Sequence, residues 1–258
     1  MKNLRTVLIV AVFVGRSLAC SAMDYLEAEQ KWADEETFLF QCLSTNPEKE
    51  TVLVKAFEKK LKQRYRNLML ITQTLNIRTQ NIEKANADKA PIFRFGTGFH
   101  GYEGTFARFE GAFPTDAQID SVCTSPVKKE IIRFLDAKKV VLLVLSGKDA
   151  KTNRAFMRCA EKGKRMVSDI LNMSSEIVEC KLDDPREKYL VRNIFMKNNV
   201  PRPGILIVFG RGKGLHFVDD PSNEIIILDV MQMTNNKTNA QSRDLEARLL
   251  LDMRSPWK

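Results

Sequence analysis

Few residues in this chain could do chemistry. Cysteines stand at Cys20, Cys42, Cys123, Cys159 and Cys180, and the histidines are His100 and His216. No two cysteines form a C-x-x-C pair, in which one low-pKa thiolate attacks and its neighbour resolves. Two histidines and scattered thiols give neither zinc-ligand spacing nor a Cys-His nucleophile pair. A second candidate is the turn Phe209-Gly210-Arg211-Gly212-Lys213-Gly214. Its glycines let backbone approach a ligand closely, and Arg211 and Lys213 offer two cations to a carboxylate or phosphate. The competing reading is a tight hairpin with glycine where φ is positive. It is not a P-loop, because no Gly-Lys-Ser/Thr is present. Gly96-Thr97-Gly98-Phe99-His100-Gly101 matches G-x-G-x-x-G. A dinucleotide site needs a helix to begin there, and Tyr102-Glu103-Gly104-Thr105-Phe106 reads as turn or strand. No metal and no cofactor is expected.

The elements that must position these residues are clearest in the back half. Thr115 with Gln118 has capping-box spacing, and Ser125-Pro126 opens a helix carrying Val127, Ile131, Ile132 and Leu135. Val140–Ser146 (VVLLVLS) is a continuous apolar run, as in a strand buried on both faces. Residues 151–172 have helical spacing and should bury Phe156, Cys159, Val167, Ile170 and Leu171. A strand follows at 176–182, then a helix capped by Asp184 with Pro185 at its first position. Strands at 205–209 and 215–218 flank the glycine turn, and a last amphipathic helix is expected near 242–253.

The front half reads as helical. Residues 23–43 are rich in Glu and Ala. In residues 50–87 Leu53, Phe57, Leu61, Leu68, Ile71, Leu75 and Ile82 recur at gaps that fit one helical face. Lys59, Lys60, Lys62, Arg64 and Arg66 make this helix basic, suited first to a solvated face and otherwise to a membrane surface or an acidic partner. The domain reading is a signal peptide at 1–22, a helical region at 23–90, a Gly/aromatic-rich connector at 91–124 and an α/β domain at 125–258.

Residues 1–22 have Lys2 and Arg5, an apolar stretch at 7–14 and small residues at 19–22, the order of a secretory signal peptide. The stretch is shorter than the roughly 20 apolar residues of a membrane span. Ser17-Leu18-Ala19-Cys20 also resembles a lipobox, with Ser17 where that motif prefers Leu, which makes Cys20 a candidate lipidation site; the competing reading is an ordinary cysteine beside the cleavage site. Removing the leader takes the formal charge from +9 to +6, which fits an ordinary soluble basic surface first and an anionic partner second. Export argues against nucleic acid.

The order β-α-β-α-β-β-α in residues 125–253 resembles the thioredoxin fold. The resemblance implies a mixed sheet with flanking helices. It places the family's C-x-x-C on Ala150-Lys151-Thr152-Asn153, where no thiol stands, and makes Pro203 the counterpart of its cis-proline. Ser125-Pro126, the F-G-R-G-K turn and Arg254-Ser255-Pro256-Trp257 resemble uncharacterised exported proteins of planctomycete-type bacteria. Those often carry a C-S-C motif that this chain lacks. On this layout Cys159 would pair with Cys180 and Cys42 with Cys123, unless all four stay reduced and buried. The expected function is a non-catalytic thioredoxin-like binding or assembly protein of the bacterial cell envelope. Its partner would be a protein or an anionic ligand. The alternatives are a thiol-dependent oxidoreductase with atypical cysteines and a scaffold anchored through Cys20.

Overall fold

A computed structural model describes residues 38–66, 70–78, 88–97, 104–196, 200–234 and 247–253. The leader, Cys20 and residues 23–37 lie outside the described residues. The front half is not a helical region. Phe38, Phe40 and Cys42 alternate with less buried neighbours and form strand β1 (Phe38–Ser44). Asn46-Pro47 then starts helix α1 (Pro47–Arg64), with Pro47 at its first position and Val54, Phe57 and Leu61 buried. The apolar stripe read through residue 82 breaks there, because Leu70–Asn76 is strand β2. Strands β3 (Ile92–Thr97) and β4 (Gly104–Glu110) complete a four-stranded sheet in the order β2-β1-β3-β4. β2 runs parallel to β1, while β3 and β4 are antiparallel. Helix α2 (Asp116–Cys123) follows with its capping box intact: Gln118 N donates to Thr115 Oγ1 at 3.3 Å, and Thr115 N donates to Gln118 Oε1 at 2.8 Å.

The back half repeats this arrangement. Helix α3 (Pro126–Asp136) is capped by Ser125, and strand β5 (Val140–Ser146) is buried at all seven positions. Helix α4 (Ala150–Leu171) connects it to β6 (Ser175–Lys181). A 3₁₀ turn (Pro185–Glu187) and helix α5 (Lys188–Ile194) lead to β7 (Gly204–Phe209) and β8 (Lys213–Val218). Helix α6 (Ile225–Thr234) and a two-residue strand β9 (Ala247–Arg248) end the described chain. The order is β6-β5-β7-β8-β9, with β6 parallel to β5 and β7 and β8 antiparallel. Apart from β9, strand order and directions match the front sheet. The two sheets thus share their strand order and directions, with residues 79–87 between β2 and β3 outside the described ones. The expected helix near 242–253 is not seen in 247–253, and α6 lies earlier instead.

The back sheet separates two cores. Val140, Leu142 and Val144 pack with Phe156, Cys159, Ile205, Ile207 and Ile227 beneath α4 and α6. Val141, Leu143 and Leu145 pack with Ile131, Leu135, Cys180, Leu190 and Leu206 beneath α3 and α5. Ile170, expected inside, is 60% exposed, because it sits on the solvent side of α4. The front core is aromatic. Phe40 lies 4.8 Å from both Phe57 and Phe95, centroid to centroid, and Phe93 lies 4.6 Å from Phe113. The halves meet along β4 and α5. The rings of Phe109 and Tyr189 lie 6.3 Å apart, and Leu250, buried in the front core, donates its N–H to Asn193 Oδ1 at 2.9 Å.

Candidate functional site

In the back half the strand-to-helix loop holds no thiol. Asp149 caps α4, its carboxylate accepting from Lys151 N at 3.2 Å and Thr152 N at 2.8 Å. The Thr152 hydroxyl and these two amides hold the Asp149 carboxyl below its usual range. The helix N-terminus that would favour a thiolate is thus already occupied by a carboxylate. Asn153 closes the loop: its Nδ2 donates to Gly147 O at 2.8 Å and its Oδ1 accepts from Gly147 N at 2.9 Å. Pro203 packs on this loop, since a Cβ on Gly147 would fall 2.9 Å from Pro203 Cγ. The peptide before Pro203 is trans, which corrects the cis assignment. The cis peptide among the described residues is Ala90-Pro91, immediately before β3. The strand-to-helix loop of the front half also lacks a thiol: Asn46 N donates to Ser44 Oγ at 2.8 Å, and Ser44 Oγ donates to Glu50 Oε2 at 2.7 Å.

The four described cysteines are free and buried. Cys159 belongs to the core beneath α4, whereas Cys180, opposite Leu145 in the β5–β6 register, belongs to the core on the other face. The sheet stands between them, so the expected Cys159–Cys180 bridge is not formed. Cys42 and Cys123 share the front core but are not bonded. Burial pushes the Cys42, Cys123 and Cys180 thiols up to about 12 and that of Cys159 up to about 11. Raised this far, each thiol stays protonated at neutral pH. Among the described residues no group of His, Cys, Asp and Glu could hold a metal ion.

The glycine turn is a hairpin, with Gly210 at φ 57° and Gly212 at φ 89°. Its outer side carries the chain's own C-terminal segment. Leu249 N donates to Gly212 O at 2.9 Å, Arg211 donates to Met253 O at 3.2 Å, and a Cβ on Gly212 would fall 2.8 Å from Leu251 Cδ1. Lys213 is buried and sits opposite Arg248 in β9. The glycines thus admit this segment closely, and Arg211 and Lys213 sit in its packing. Three basic residues of helix α1 are paired with carboxylates. Lys60 pairs with Asp116 at 2.6 Å, Lys62 with Glu58 at 2.5 Å, and Arg64 with Asp120.

Two features gave no sequence signal. One is a buried charge cluster near the junction. Lys128 Nζ donates to Val122 O at 2.7 Å, and Glu187 Oε1 accepts from Val127 N at 3.1 Å. Desolvation brings the Lys128 ammonium down to about 8. Glu187 Oε2 is buried with no hydrogen-bond partner among the described residues. The other is a cleft of about 470 Å³ between β4 and α5, lined by Thr105, Phe106, Ala107, Arg108, Arg192 and Phe195, with Pro201 at its rim. Glu110 holds Arg108 through Nε at 2.7 Å. This cleft joins an apolar floor to two guanidiniums, a combination suited to a ligand with an acidic group.

No protein-family model and no curated protein matches the chain. Among solved structures, human ERp44 form II is similar with a TM-score of 0.35 and 10% identity, over 97% of this chain and 68% of that one. Human ERp44 form I gives a TM-score of 0.32 and 11% identity, over 97% of this chain and 71% of that one.

Proposed function

We propose that this chain is an exported, redox-inactive thioredoxin-like binding protein of the bacterial cell envelope. The observation that carries this reading is the placement of the cysteines: four described thiols lie inside the cores with raised pKa, and both strand-to-helix loops are closed by Asn, Asp, Ser and Glu instead. A fold kept without its reactive dithiol is suited to holding a partner rather than exchanging electrons with it. The cleft between β4 and α5 is the place for that partner, because it sits where the two halves meet and presents Arg108 and Arg192. Export rests on the basic, apolar and small-residue succession of residues 1–22, and Cys20 supplies an anchor if the chain is cut before it.

Two measurements test this. Insulin-disulfide reduction should not exceed the buffer rate. A rate above it that disappears in Cys159→Ser would establish the oxidoreductase instead. Intact mass of the protein from its native host should show the leader removed, with added acyl mass on Cys20 marking the anchored form. Retention of Met1 would refute export.

A further inference from the structure

One short segment is seated in both halves of the molecule. Along residues 247–253 the buried side chains alternate. Ala247, Leu249, Leu251 and Met253 belong to the back core beneath α3 and α5, while Leu250 among them belongs to the aromatic front core. Alternation of this kind is what an extended chain gives when it lies between two surfaces. The main chain is held along its length. Ala247–Arg248 pairs with Lys213–Gly214 of β8, and Leu249 N donates to Gly212 O at 2.9 Å. Leu250 N donates to Asn193 Oδ1 at 2.9 Å, and Met253 O accepts from Arg211 at 3.2 Å. The seat is shaped for this segment. Gly214 does not have a positive φ, yet a Cβ there would fall 3.1 Å from Ala247 Cβ. That glycine clears the path of the segment rather than making a turn.

Helix α5 lies between this segment and the junction cleft. Its Asn193 holds the segment, while Arg192 and the following Phe195 line the cleft, whose opposite wall is β4 of the front half. We propose that residues 247–253 are a strap that fixes the two halves against each other and so sets the width of the cleft between β4 and α5. Leu250 and Leu251 are neighbours in sequence but are seated in different cores. The strap therefore cannot leave one half without straining its hold on the other. Linked domains move relative to one another unless an apolar interface holds them. The buried side chains and hydrogen bonds of this segment supply that hold. The strap's effect on ligand binding rests on the cleft being the partner site proposed above.

Distance measurement between spin labels at Val52→Cys and Ile170→Cys tests the strap on the full chain carrying Cys20→Ser. Both labelled positions are exposed, one on α1 of the front half and one on α4 of the back half, and the four buried thiols stay unlabelled. With the strap seated, the distances should form a single narrow peak. Leu250→Asp puts a charge at the front-core end of the strap and should replace that peak with a broad distribution reaching longer distances. Leu250→Ala, a milder release, should broaden it in the same direction while far-ultraviolet circular dichroism keeps its wild-type amplitude. No ligand enters the measurement, so the strap and the cleft's role as partner site fail separately. A narrow peak at the wild-type distance in both variants, or loss of secondary structure in Leu250→Ala, overturns the proposal.

Discussion

Replacing Phe40 by Ala is the sharpest probe of the front sheet. Phe40 is 0% exposed at the centre of β1. Its ring lies 4.8 Å from Phe57 and Phe95, 6.1 Å from Phe93 and 6.4 Å from Phe113. Truncating a fully buried phenylalanine costs about 3–5 kcal/mol through lost transfer energy and the cavity left behind. The two close ring contacts each add about 0.5–1.5 kcal/mol beyond area burial. The sum is on the order of 5 kcal/mol, against a total stability of about 5–15 kcal/mol for a folded domain. Phe40→Ala should therefore unfold the front half or bring it close to unfolding at 25 °C. Val52→Ala, at a residue 69% exposed, serves as the control and should change stability by less than about 0.5 kcal/mol. Urea unfolding followed by far-ultraviolet circular dichroism reads both. A Phe40→Ala midpoint within about 1 kcal/mol of wild type would refute the aromatic core, whose truncations must cost more.

In the back half, Leu143→Asp puts an unpaired charge into a strand buried on both faces and should abolish its cooperative thermal transition, since such a charge costs several kcal/mol; a wild-type melt would remove β5 from the centre. Asn153→Ala breaks both hydrogen bonds that close the 147–153 loop and should cost about 1–3 kcal/mol, read as faster amide exchange at Gly147; unchanged exchange would refute the lock. The four thiols have raised pKa in the folded state, so their stabilisation is complete below about 9 and is lost as pH rises toward 11 and 12. Lys128 has the opposite sign: its lowered pKa penalises folding while it is charged, and the penalty lifts as pH rises from about 8 to 10.5. Chemical denaturation across pH 7–11 should therefore show stability turning downward above pH 9, where four thiols outweigh one ammonium; a continued rise would contradict the burial of the cysteines.

How much of this was legible depended on the residue pattern. β5 announced itself because a strand covered on both faces is continuously apolar, and α2 and α3 because caps leave local signatures. The front half misled because its strands are short and amphipathic. Phe38, Phe40 and Cys42 alternate with period two, but β1 directly follows a Glu-rich stretch of helical composition. Ile71 and Leu75 in β2 happen to continue the helical spacing of Leu61 and Leu68, so the break after α1 left no mark. Helix α6 was missed because Ile225, Ile226, Ile227 and Leu228 form a run without helical periodicity. The separation of Cys159 from Cys180 follows from which face α4 covers, and the junction cleft from the docking of α5 on β4. Neither is encoded in local spacing.

The four described cysteines are free and buried inside the two halves. The direct measurement is a thiol titration with a chromogenic disulfide reagent, native and in denaturant, on protein lacking residues 1–22. No rapidly reacting thiol is expected in the native protein, and all four, Cys42, Cys123, Cys159 and Cys180, should react in the unfolded chain. A native thiol that reacts at the rate of a free cysteine would contradict it.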